Sequence, residues 1–390
     1  MSEALRPSAS PSPLEAARSL APRLRAAAER TEAERRLAPE LVRELAAAGF
    51  FRLCVPRGLG GLEADATTLV EVIEEVARAD GSAGWCTMIG ATSGVVAAYL
   101  PEREAREIYG PPLAVSGGVF APHGQAAAVP GGYRLSGRWP FASGCQHCDW
   151  LMGGALVMED GAPRRNSRGV PESRMLLFPA REATLHDTWS VSGLRGTGSH
   201  DMEVRDLFVP RERSVSLQDD RPRERGPLYA LPVFGFLAVG VCAVGLGIAR
   251  AAIEALAALA TEKTPTGSRR LLAERALVQA HVAQAEGALR GARAGLLEAL
   301  AAVHDAAPRG VTPRERALLR IAATHAARTS AQAVDAMYEA GGGSSIYAAS
   351  PLQRHFRDVH VMTQHASVAP PTLELAGRVL LGLEADTSIL

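Results

Sequence analysis

The chain has 390 residues, 47% of them apolar, which excludes global disorder and allows two or three domains or one large layered subunit. Its 42 Lys and Arg balance its 42 Asp and Glu, so it lacks the basic excess of a nucleic-acid-binding protein. Five scattered cysteines, an odd number in a long chain, fit the reduced thiols of a cytoplasmic protein better than a disulfide framework.

The N-terminus, MSEALRPSASPSP, has no apolar stretch behind a basic start. That excludes a secretory signal and leaves residues 1–13 as a flexible leader. Residues 14–112 are expected to form an α-helical domain. LEAARSLAPRLRAAAERTEAERR and APELVRELAAAGFFRL space Leu and Ala three and four apart with charges between. ATTLVEVIEEVARAD follows a PRGLGG loop and is closed by Asp80-Gly81, and GWCTMIGATSGVVAAYL continues to Pro101.

The pattern changes near residue 113. Short β-prone runs such as LAVSGGVF, GGYRLSGRWPFASG, DWLMGGALVM and MEVRDLFVP alternate with Gly, Pro and Asn over residues 113–226. They predict a central β domain, an antiparallel sheet or barrel. From 227 to 390 the chain turns helical again, in segments 233–263, 268–304, 312–340 and 351–383, which predicts a four-helix bundle. Residues 228–249 carry no charge and are long enough to span a membrane. Pro232, four glycines and an amphipathic continuation favour instead a buried helix of the bundle or of a subunit interface, with no membrane partner.

Few motifs carry chemistry by spacing alone. Cys145 and Cys148 form a single C-x-x-C, half the ligands of a zinc site, and read as free thiols. His355, His360 and His365 recur every five residues, a rotation of about 140° on a helix. Consecutive members therefore do not share a face, and no metal site is expected. One of the three can still project inward as an acid or base. GLRGTGSHD, 193–201, reads either as a loop offering N–H donors to a polar cofactor edge or as a plain strand connection.

In order along the chain, GRWPFASG, WSVSGLRGTGSHDMEVRDLFVP, LPVFGFLAVGVCAVGLGIARAA and LQRHFRDVHVMTQHA resemble the acyl-CoA dehydrogenase superfamily. The likeness runs from about 15 to 385. It implies a mostly α, α+β fold: an N-terminal helical domain, a central β-barrel domain and a C-terminal four-helix bundle. Within the superfamily the chain is most similar to the two-component flavin monooxygenases, such as the 4-hydroxyphenylacetate and secosteroid phenol hydroxylases and dibenzothiophene monooxygenase. Dehydrogenases need a carboxylate base, and both family positions for it are empty here. One falls at Ala366, and the other lies on a stretch, 228–252, without an acid.

The resemblance therefore implies an oxygenase component that takes reduced FMN, with FAD as the alternative, from a separate flavin reductase. Through a flavin hydroperoxide formed with O2 it would oxidise a small aromatic or electron-rich substrate. Trp139 and Ser143 are expected at the flavin ring, and Arg195, Thr197, Gly198 and Ser199 as polar contacts to it. Arg269, on the second bundle helix, is expected at the flavin phosphate of a neighbouring subunit in a homotetramer. Trp85, Met88 and Gly90 would line the substrate pocket, and His365 would be the acid–base residue. The rival readings are an FAD-dependent acyl-CoA dehydrogenase or desaturase, and a helical binding or membrane-associated protein without catalysis.

Overall fold

A computed structural model describes residues 11–390; most of the expected leader lies outside them, and Pro13 is already helical. Five helices come first: α1 (Pro13–Glu34), α2 (Pro39–Ala47), α3 (Ala66–Ala79), α4 (Gly81–Ser93) and α5 (Glu102–Tyr109). Ser12 and Glu15 close a reciprocal capping box at the start of α1. Asp80 does not simply end α3. Its carboxylate accepts from Ala83 N–H at 2.7 Å and so starts α4 at once.

Eight strands follow: β1 (Ser116–Val129), β2 (Gly132–Ala142), β3 (Trp150–Glu159), β4 (Ala162–Pro163), β5 (Ser173–Pro179), β6 (Thr184–His186), β7 (His200–Pro210) and β8 (Ser214–Val215). They pair as β6-β7-β2-β1-β3-β5-β8, with β4 on β3. The layer is mixed rather than purely antiparallel. β2 ends beside the start of β1, and the short connection 143–149 brings β3 in parallel to β1, with Ser116 opposite Trp150.

The bundle consists of α6 (Val233–Glu262), α7 (Ala276–Ala306), α8 (Pro313–Gly341), α9 (Pro351–Met362) and α10 (Pro370–Leu380). Two differences from the sequence reading matter. The second long helix starts at Ala276, so Arg269 lies on the exposed α6–α7 connection and not on a helix. The last segment is broken between Met362 and Pro370, because a proline pair cannot continue a helix through its own first turn. His365 stands in that break, off the helix, so the rotation argument does not apply to it. The apolar helix α6 is 89% buried over its most hydrophobic window. It packs on α3, α4, α8 and α9 of its own subunit, which accounts for its composition without a membrane or a subunit interface.

Candidate active site

Between the helical layers and the end of the β layer lies a cavity of about 650 Å³. One wall is the face of α4 that carries Trp85, Met88, Ile89 and Thr92, and Phe234, Leu237 and Val241 of α6 meet it. The β side contributes Pro140, Phe141 and Ser143, then Trp189, Thr197 and Ser199 from the segment before β7. The α9–α10 break closes it with Gln364, His365, Ala366 and Ser367. No Asp or Glu lines it among the described residues.

Its polar edge is a chain of hydroxyls. Trp85 Nε1–H donates to Ser143 Oγ at 2.9 Å, Ser143 Oγ meets Ser199 Oγ at 2.7 Å, and Ser199 Oγ meets Thr197 Oγ1 at 2.6 Å. Thr197 Oγ1 ends on the Leu194 carbonyl at 2.8 Å. A carbonyl can only accept, and two oxygens at that distance repel unless a proton lies between them. The direction is thereby fixed: Thr197 donates to Leu194, Ser199 to Thr197, and Ser143 to Ser199. Each hydroxyl has committed its one proton, so the chain offers the cavity lone pairs only.

His365 faces the same space, edge-on to Trp85 with ring centroids 5.5 Å apart. Its Nδ1 accepts from Ser367 N–H at 3.2 Å, so the proton of the neutral ring sits on Nε2. Burial, then the positive charge of Arg320, pushes its pKa down to about 4. At neutral pH it is an uncharged imidazole with an N–H to donate.

Several expected site residues lie elsewhere. Trp139 is fully buried inside the β layer and donates from Nε1 to the Gly154 carbonyl at 2.7 Å; it does not reach the cavity wall. Gly90 sits on the opposite side of α4, where an added Cβ would come within 2.4 Å of Phe51. Arg195 and Gly198 turn away from the cavity while Thr197 and Ser199 face it. Arg269 is exposed and does not line this cavity. The sequence reading missed Phe141 and Trp189, packed edge to face with ring centroids 6.1 Å apart. Phe141 is 68% exposed and holds a left-handed φ of 64°, a strained choice for a bulky residue and one that favours function over packing. The C-x-x-C pair is buried or half-buried as free thiols, with burial pushing Cys145 up to about 12.

Comparison with known proteins decides the family. The acyl-CoA dehydrogenase N-terminal domain family matches residues 14–115, and the C-terminal domain family matches 239–370. An indole-3-acetate monooxygenase of Pseudomonas putida is 36% identical over 90% of this chain and 88% of its own. The chain belongs to the acyl-CoA dehydrogenase superfamily, in its flavin-dependent monooxygenase branch. The oxygenase component of an FADH2-dependent resorcinol hydroxylase from Rhizobium is 29% identical, over 92% of this chain and 91% of its own. The crystal structure of a 3-HSA hydroxylase from Rhodococcus superposes with a TM-score of 0.90 at 27% identity, covering 98% of this chain and 99% of that one.

The residues present fit the cofactor of this monooxygenase branch in its reduced form. A reduced flavin ring carries a proton on its central nitrogen, and an edge of lone pairs suits that donor. Phe141 and Trp189 offer aromatic faces and edges to a flat ring. The segment bearing Thr197 and Ser199 is pinned by Leu194 N–H donating to Asp358 Oδ1 at 2.6 Å. Burial, reinforced by the neighbouring Asp80 carboxyl, pushes Asp358 up to about 7. The unfolded carboxyl titrates near 4, so this group's contribution to stability is complete below that pH and is lost as pH rises through about 7. Asp358→Asn keeps the acceptor and removes the titration. Melting temperatures from pH 5 to 8 should fall less steeply in the variant than in the parent; parallel curves would contradict the assignment.

Proposed function

We propose that this monooxygenase takes reduced flavin, FMN or FAD, from a separate flavin reductase and inserts one atom of O2 into a small aromatic substrate. The observation that carries the reading is the lining of the cavity: among the described residues no Asp or Glu stands on its wall to remove a proton from an acyl thioester. The bound flavin would supply oxygen activation. The chain supplies the rest. Ser143, backed by Ser199 and Thr197, accepts from the reduced ring. Met88, Ile89, Leu237 and Val241 exclude water. His365, neutral and held by the Ser367 N–H, offers a hydrogen bond from Nε2–H to the reacting oxygen or to a substrate acceptor.

The test is to supply reductase-generated reduced flavin and O2 with a panel of phenols and indoles, reading product mass. A gain of one oxygen atom dependent on reduced flavin supports the proposal. Oxidation of an acyl thioester, with every aromatic untouched, overturns it.

Ser143→Ala removes one neutral hydrogen bond, a loss of about 0.5–1.5 kcal/mol. Affinity for reduced flavin should fall by less than about tenfold, while hydrogen peroxide released per flavin oxidised rises. Unchanged peroxide release would remove Ser143 from the flavin edge. The protein is further assigned to the cytoplasm as a homotetramer. Support for the assembly comes from α7, where Gly287, Gly291 and Gly295 form an open stripe at four-residue spacing, and where Leu277, near the start of the same helix, is 67% exposed. Sedimentation should return a tetramer; a stable, active monomer would contradict it.

A further inference from the structure

Three consecutive residues of the segment before β7 are tied to one stretch of α9. Arg357 pairs with Glu32 of α1 at 2.6 Å and donates from Nη1 to the Ser192 carbonyl at 2.5 Å. Gly193 lies so close that an added Cβ would come within 2.2 Å of the Arg357 carbonyl oxygen. Leu194 N–H donates to Asp358 Oδ1 at 2.6 Å, with both residues buried. Among the described residues this is the one hydrogen bond that the Asp358 carboxyl makes.

Two residues of the cavity wall hang on the Leu194 carbonyl. It accepts from Thr197 Oγ1 at 2.8 Å and from Trp189 Nε1–H at 3.1 Å. Leu194 reaches this position with φ 49° and ψ 34°, a left-handed conformation that a bulky residue holds only where its surroundings impose it. With the N–H fixed on α9, the left-handed turn aims the carbonyl at Thr197. Without that anchor the residue is free to return to the right-handed region, and its carbonyl swings off the hydroxyl chain. Thr197 then donates to Ser199 and Ser199 to Ser143, which leaves the Ser143 proton facing the cavity.

We propose that Asp358 is a positioning residue that sets the proton direction of the flavin edge: by holding Leu194 N–H it keeps the Leu194 carbonyl at the end of the Thr197–Ser199–Ser143 chain, and so keeps Ser143 an acceptor. The same helix ends at Met362, where the break that carries His365 begins, so α9 places both the acceptor edge and the donor ring of one cavity. A carboxyl oxygen accepts whether or not the group is protonated, and an amide oxygen does the same. The role rests on the proposed reading of the hydroxyl chain as the edge that meets reduced flavin.

The test is an anaerobic titration of the full-length protein with FMN, oxidised and dithionite-reduced. The parent should prefer reduced FMN by about tenfold or more. Asp358→Ala should shrink that preference to within about threefold, mostly by gaining affinity for the oxidised form, whose bare central nitrogen suits an edge that donates. Asp358→Asn should keep the preference within about twofold of the parent's. A merely structural carboxyl would lower the melting temperature of Asp358→Ala and leave the preference of the folded protein alone. That result overturns the proposal, as does an asparagine variant that behaves like alanine. Asp358→Val, which fills more of the space, is read in place of alanine if alanine does not fold; if neither folds, the carboxyl is structural and the proposal fails. A parent without a preference for reduced FMN removes the flavin edge itself, and the role of Asp358 with it.

Discussion

His365→Ala is expected to lower aromatic product per flavin oxidised by about 10²-fold or more, with reduced-flavin affinity kept within about threefold. The flavin should still be oxidised by O2, with hydrogen peroxide replacing product. The geometry also says what kind of help the residue gives. A general base near neutral pH would need a free ring nitrogen and a pKa near 6 or 7. Here Nδ1 is occupied by Ser367 N–H, Nε2 holds the proton, and the pKa is pushed down to about 4. The ring is a donor. His365→Gln, which restores an N–H, should therefore recover much of the yield lost in the alanine variant. The pH–rate profile should show no limb from this group between about pH 5 and 8. A glutamine variant as inactive as alanine, with a limb near pH 6.5 in the parent, would return His365 to the role of base.

Trp139→Ala is expected to destabilise the fold by about 3–5 kcal/mol, the range for removing a large buried aromatic. The indole is fully buried and sits in a cradle of glycines. An added Cβ at Gly124, Gly137 or Gly153 would come within 2.4, 2.7 and 2.6 Å of the ring. Its loss leaves a cavity between β1, β2 and β3 and an unpaired Gly154 carbonyl. The unfolding midpoint in denaturant should drop accordingly, while the folded fraction binds reduced flavin within about twofold of the parent. A stable variant with flavin binding lost would place Trp139 at the cofactor after all.

These two residues mark where reading the sequence succeeds and where it stops. The helix–β–helix order was legible because the apolar period changes from near 3.6 to short β-prone runs and back. Ser143 was placed by the family resemblance alone, and the loop of Thr197 and Ser199 was read as a source of N–H donors or a plain connection; the structure joins the three hydroxyls in one chain. Trp139 was placed at the cofactor by the resemblance of GRWPFASG to the family. Strand alternation would have placed it correctly, since it shares the inner face of β2 with the buried Leu135. Gly90 fails the equivalent test on a helix, where Trp85, Met88, Ile89 and Thr92 form one face and position 90 falls on another. The wiring of His365 was not legible, because it depends on a helix break and on a backbone N–H two residues on.

The central claim is that this chain holds reduced flavin at an acceptor-only edge and uses it as an oxygenase. Anaerobic titration with oxidised flavin and with the same flavin reduced by dithionite tests it directly. The protein is expected to purify colourless and to bind the reduced form at least about tenfold more tightly, since an oxidised ring would set lone pair against lone pair at Ser143. A yellow protein that holds oxidised flavin more tightly than reduced, and bleaches on addition of an acyl thioester, would contradict it.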